Sequence, residues 1–168
     1  MNDWKQVKPE ELTSNTFELI GKDWMLVTAN SNGKVNTMTA SWGGLGIMWG
    51  KPVAFVVIRP QRYTKEFVDN ASTFSLTFFS KEYKKQLSYL GSVSGRDEDK
   101  ITNSGLTLES ADSTPYFAEG KLVLKLKKLF SQPLEEASFL DSSILDKWYP
   151  SKDYHVLYIA EIEEALEK

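Results

Sequence analysis

Two arginines and a threonine, Arg59, Arg62 and Thr64, stand between the apolar run Pro52-Val-Ala-Phe-Val-Val-Ile58 and the helix-compatible segment Lys65-Glu-Phe-Val-Asp-Asn70. Guanidinium groups attract anions, and so do the free N–H groups at a helix start, where Thr64 is placed to act as N-cap. The plainer reading pairs the arginines with Glu66 or Asp69 in solvent, where such contacts are worth about 0–1 kcal/mol. Upstream, Asn36-Thr-Met-Thr-Ala-Ser-Trp42 is strand-like, yet it carries hydroxyls and small side chains where a core strand would carry branched apolar ones. A polar strand end facing a small anion site is what a phosphorylated ligand lying along the strands requires.

Other chemistries are excluded by residue type. The chain has no cysteine, which removes disulfides, thiolate metal sites and thiol catalysis together. Its one histidine, His155, rules out a His-rich metal centre, so no metal site is expected. An unperturbed imidazole titrates near ~6.5 and serves in acid–base work, although a lone histidine is more often an ordinary surface or hydrogen-bonded residue. Asp97, Glu98 and Asp99 are consecutive, a spacing that fits no calcium loop, and neither a phosphate-binding lysine loop nor a dinucleotide fingerprint occurs. A net charge of −3 without a basic block argues against nucleic acid. The start Met-Asn-Asp-Trp-Lys-Gln lacks the basic-then-apolar pattern of a signal peptide, and no apolar run approaches the ~18 residues of a membrane span. A cytoplasmic protein is therefore expected.

The elements that must position these residues are mostly short strands. Trp24–Ala29 and Lys34–Trp42 flank Asn32-Gly33, a strong tight-hairpin signal. Gly43, Gly44, Gly46 and Gly50 predict a loop, either a solvent connection or a place where backbone approaches a flat ring. Ser72–Phe79 alternates as a half-buried strand, and Glu119–Leu129 presents Lys125 and Lys127 on a wetter face or a protected edge. His155–Ile162 forms a last strand before a charged tail. Short helices are expected after Asn15, closed by Gly21; after Ser80, ended by Gly91; and over Pro133–Leu140, with Trp148-Tyr-Pro marking a turn. The sum is a mainly β chain, a closed or nearly closed β-barrel with a few short helices, in one domain over residues 1–168. A barrel this small is filled by its own side chains, so a ligand sits outside it in a groove.

Asn-Thr-Met-Thr-Ala-Ser-Trp (36–42) followed by Arg-Pro-Gln-Arg-Tyr-Thr (59–64) resembles the flavin reductase-like family, and within it the flavoredoxin-type proteins. The resemblance runs from about Phe17 to about Glu161. It implies an FMN-binding split β-barrel of Greek-key type, a homodimer, and NAD(P)H as the possible electron donor. By the same resemblance, Thr39, Ala40, Ser41 and Trp42 meet the flavin ring or ribityl chain, Arg59, Arg62 and Thr64 meet the phosphate, and Tyr63 belongs to the cofactor-binding set. Ser94, Arg96 and Lys100, from Ser94-Gly-Arg-Asp-Glu-Asp-Lys100, join the cofactor-binding set. His155 is implied as a catalytic residue.

The implied function is an oxidoreductase, either an NAD(P)H-dependent flavin reductase or a flavoredoxin-like carrier of electrons through bound FMN. Its rivals are a noncatalytic flavin- or haem-binding protein on the same fold, and a dimeric interaction module that leaves the groove unused.

Overall fold

The computed structural model describes residues 3–110 and 113–168. Its strands are β1 (Lys5–Val7), β2 (Met25–Ser31), β3 (Lys34–Ala40), β4 (Gly43–Met48), β5 (Lys51–Ile58), β6 (Thr73–Phe78), β7 (Leu108–Glu109), β8 (Tyr116–Phe117), β9 (Leu122–Pro133) and β10 (Val156–Glu167). Its α-helices are α1 (Thr16–Glu18), α2 (Tyr63–Asn70), α3 (Lys84–Ser92), α4 (Lys100–Ser104) and α5 (Ser142–Trp148).

The main sheet runs β3-β2-β6-β9-β10-β5-β4, with β1 added on β10 and every neighbour antiparallel. Met38 of β3, Val27 of β2, Phe74 of β6, Leu124 of β9, Tyr158 of β10 and Val56 of β5 share one buried cluster, so the sheet curls around its own side chains. Its two end strands, β3 and β4, follow each other in the chain through Ser41-Trp42 and are not hydrogen-bonded to each other. The barrel is therefore split along that seam. The connection from β5 through α2 to β6 passes β10 and β9, the long crossing of a Greek-key arrangement.

The β2–β3 hairpin turns at Asn32 (φ 53°) and Gly33 (φ 85°), the two left-handed positions that its tight turn needs. Register then runs from Ser31 opposite Lys34 to Met25 opposite Ala40, which delivers Thr39 and Ala40 to the seam.

Several expectations are corrected. Most of the glycine run is not a loop: Gly43–Met48 forms β4, paired along β5, and only Gly50 (φ 69°) sits in the turn between them. Gly43 and Gly44 are needed for close approach, since a Cβ at Gly43 would collide with the Phe55 carbonyl and one at Gly44 with the Phe55 ring. Strand β6 is buried on both faces, because its polar side is also covered: Ser75 donates to the Pro115 carbonyl at 2.5 Å. Strand β9 lies between β6 and β10, so its lysines guard no edge; Lys125 pairs with Glu164 at 2.8 Å. The supposed charged tail stays in β10 as far as Glu167, held by β1 and β9.

At the helices, Asn15 caps α1 through the Phe17 and Glu18 N–H groups. The chain then runs through a wide turn over Leu19–Asp23 and is redirected at Trp24 (φ 69°), not at Gly21. The Pro133–Leu140 helix shrinks to a single turn at Glu136–Ser138. The N-cap of α2 is Arg62, and no side chain caps that end. Thr64 is the second residue of the helix, where its hydroxyl accepts from Asn36 Nδ2 at 2.9 Å.

Candidate functional site

A groove of about 620 Å³ opens along the seam. Strand β3 and its exit supply Thr39, Ala40, Ser41 and Trp42; Val57 and Arg59 come from the end of β5; Leu87 and Gly91 come from α3. Thr39 Oγ1 donates to the Leu87 carbonyl at 2.5 Å, and Gly91 packs against the Thr39 side chain, which ties the helix to the strand. A smaller recess of about 210 Å³ shares the walls at Met38, Arg62 and Ser92 and adds Tyr63, Thr64, Ser94 and Lys100.

The recess is cationic and uncompensated. Arg62 is partly buried at the N-terminus of α2 and donates Nη1 to the Gly91 carbonyl at 3.3 Å. Lys100 is 3% exposed, and its Nζ donates to the carbonyls of Leu90 (3.0 Å) and Val93 (3.1 Å). Among the described residues neither cation has a carboxylate in an ion pair. Burial pushes the Lys100 ammonium down to about 8, the Arg62 charge adds to the fall, and Glu98 opposes it. Burial also lowers Arg62, but a guanidinium is basic enough to stay charged. Two cations facing one recess without a counter-charge favour an anion there, and the uncapped N–H groups of α2 add to the field.

The opposite end is aromatic. Trp42 stands edge-on to Trp148, ring centroids 4.8 Å apart, and lies 5.0 Å from His155. His155 is 7% exposed, and its Nδ1 lies 2.6 Å from the Tyr149 hydroxyl. Burial, followed by the nearby Arg59 charge, pushes the imidazole down to about 4 against the pull of Asp153. It is therefore neutral at pH 7 and does not titrate near neutrality as its unperturbed value would suggest.

The structure separates the other expected residues. Arg59 borders the groove, not the recess; it pairs with Asp153 at 3.0 Å and donates to the Trp148 and Asp153 carbonyls. Arg96 does not line the recess; it pairs with Glu66 at 2.9 Å, donates to the Gln61 carbonyl and lies 4.5 Å over the Tyr63 ring. The Tyr63 hydroxyl accepts from Lys34 at 3.1 Å. The Ser94 hydroxyl accepts from the Arg96 N–H at 3.1 Å, which turns the chain along the recess. Close packing holds that turn down, since a Cβ at Gly95 would run into the Asn36 side chain.

Sequence reasoning missed Asn36, which fixes Thr64 from below, and Trp148, which walls the aromatic end. Two adjacent aromatics before a proline, Trp148-Tyr149-Pro150, were the available signal: they sit at a turn, outside any core periodicity.

Residues 18–167 match the flavin reductase like domain family. A relative from Aeropyrum pernix is 28% identical over 106 residues, which covers 61% of this chain and 40% of that protein, so the match spans under half of the relative's length. The fold is similar to an FMN-binding domain of a flavin reductases-like enzyme from Shewanella baltica (TM-score 0.71, 22% identity, 99% of this chain and 78% of that one). It is also similar to a flavoredoxin from Methanosarcina acetivorans (TM-score 0.64, 24% identity, 87% and 68%). By the extent of the family match, the chain belongs to the flavin reductase-like domain family.

Proposed function

We propose that the groove binds FMN, with its phosphate in the Arg62/Lys100 recess and its ring toward Trp42, Trp148 and His155, and that the protein is an oxidoreductase using NAD(P)H. The observation that carries this reading is the pair of uncompensated cations, Lys100 buried and Arg62 partly buried, at one end of a groove whose other end is aromatic. The residues present suit the group. A phosphate dianion takes charge-assisted hydrogen bonds from a guanidinium and an ammonium, and the groove volume lies within the roughly 300–1,000 Å³ of ligand sites.

Bound flavin supplies hydride and electron chemistry that side chains lack. The chain's own residues bind, orient and shield. Arg62 and Lys100 anchor the phosphate. Ala40 leaves room beside the strand, while Trp42 and Trp148 keep water from the far wall. His155, held neutral, offers a hydrogen bond without adding charge. Without a dinucleotide fingerprint in the sequence, a nicotinamide donor would lie across the groove.

A homodimer belongs to the same proposal. Phe55, Ile47, Met48 and Trp49 are exposed on β4, β5 and their turn, with Leu129 and Phe130 of β9 also exposed and Trp49 6.3 Å from Phe130. A contiguous apolar face of this kind marks an association surface.

The purified protein should bind FMN more tightly than riboflavin, and anaerobic mixing with NADH and NADPH should bleach the bound flavin. Equal affinity for the two flavins would remove the phosphate assignment. Tight FMN that neither donor reduces would make the protein a passive binder.

A further inference from the structure

Tyr149 follows α5 and is 5% exposed, packed by Phe139 and Tyr154 with ring centroids 5.5 and 5.1 Å away. The Arg59 guanidinium lies 5.1 Å over its ring. Arg59 is itself held by Asp153 and by two backbone carbonyls, which ties the corner together. The Tyr149 hydroxyl meets His155 Nδ1 at 2.6 Å, with the two rings nearly perpendicular at 83°.

The direction of that hydrogen bond decides what the groove sees. If Nδ1 donated to the tyrosine oxygen, the phenol proton would need another acceptor, and no other partner of that hydroxyl occurs among the described residues. With Tyr149 donating to Nδ1, the phenol proton and Nδ1 satisfy each other. The second ring nitrogen, Nε2, makes no hydrogen bond among the described residues, and His155 borders the groove.

We propose that Tyr149 is a positioning residue that holds His155 as the neutral tautomer with its proton on Nε2, so that the imidazole offers the groove a fixed hydrogen-bond donor rather than an acid or a base. Its partner would be an uncharged acceptor on a planar ligand, such as a ring carbonyl or a carboxamide oxygen. The charged groups nearest the pair agree with this assignment. Arg59 opposes an imidazolium, while Asp153, which would favour one, is already paired with Arg59 and accepts from Gln61 at 2.8 Å.

The tautomer does not depend on the flavin reading; only the consequence for reduction rests on it. With one histidine in the chain, the nitrogen signals of ¹⁵N-histidine-labelled protein need no assignment. The wild type, with and without FMN at pH 7.5, should show a pyrrole-type Nε2 and a pyridine-type Nδ1, with no protonation on titration to pH 6. Tyr149→Phe should mix the two tautomers. It should slow reduction of bound FMN by NADH roughly 3- to 10-fold, the worth of one neutral hydrogen bond, and leave FMN affinity unchanged. A wild-type proton on Nδ1, or an unchanged tautomer in Tyr149→Phe, would overturn the proposal. If that variant fails to fold, the wild-type spectrum decides alone. If FMN does not bind at all, the flavin reading fails while the nitrogen shifts still test the tautomer.

Discussion

Arg59 and Arg62 are three residues apart on one connection, yet they have opposite fates. Arg59 is neutralised by Asp153 and spends its remaining donors on carbonyls of the segment before β10. Arg62 has a single carbonyl, at 3.3 Å, and a second cation, Lys100, beside it. Equal side chains in one motif thus serve as a brace at the aromatic end and as an open charge at the other. Residue type is a poor guide to which arginine meets a ligand; the presence or absence of a carboxylate partner is a better one.

The largest effect expected from this contrast is on flavin affinity. Arg62→Ala, or Lys100→Met, which keeps the buried stem, should each weaken FMN about 10- to 150-fold, the worth of a charge-assisted hydrogen bond, with riboflavin hardly changed. A parallel loss for both flavins would break the contrast. The pH dependence sharpens it. Because the protonated ammonium attracts the phosphate, FMN affinity should fall as pH rises through the Lys100 value of about 8.

The next effect is on acid stability. The folded imidazole of His155 titrates at about 4, whereas an unfolded one titrates near ~6.5. Between these values the unfolded chain holds a proton that the folded chain refuses, so stability rises with pH across the window. The contribution is fully present above ~6.5 and is lost as pH falls toward 4, a difference on the order of 3 kcal/mol. Urea unfolding at pH 7 and pH 4.5 should show this gap in the wild type and a smaller one in His155→Gln.

The smallest effect belongs to Arg59. Its ion pair with Asp153 is about one quarter exposed, so Arg59→Gln should cost about 1 kcal/mol of stability. FMN affinity should stay within roughly 2-fold of the wild type, read by the same titration. An affinity loss as large as that of Arg62→Ala would return both arginines to the phosphate.

What was legible in the sequence was local. Asn32-Gly33 determines a hairpin because few residue pairs tolerate two positive φ values, and the hairpin in turn delivers Thr39 to the seam. The β5 run and the presence of a short helix after it were legible as local patterns too, although the helix begins at Tyr63 with Arg62 as N-cap rather than after Thr64. Long-range partnerships were not. Arg59 meets Asp153 across most of the chain, Asn36 reaches Thr64 from another strand, and Trp148 closes on Trp42 only once β10 has paired with β5. Gly43 and Gly44 of β4 misled because glycine most often marks a turn, whereas here the Phe55 backbone and ring occupy the space of a side chain.

The distribution of tryptophan gives the molecule a built-in optical readout. Of its five indoles, Trp24, Trp42 and Trp148 border the groove, Trp49 stands on the apolar outer face near Phe130, and Trp4 rests against Tyr116. An absorbing ligand in the groove quenches the first three by proximity, while burial of the outer face shifts the emission of Trp49. Occupancy and association therefore register as different changes in one fluorescence spectrum, and Trp49→Phe separates them without any added label.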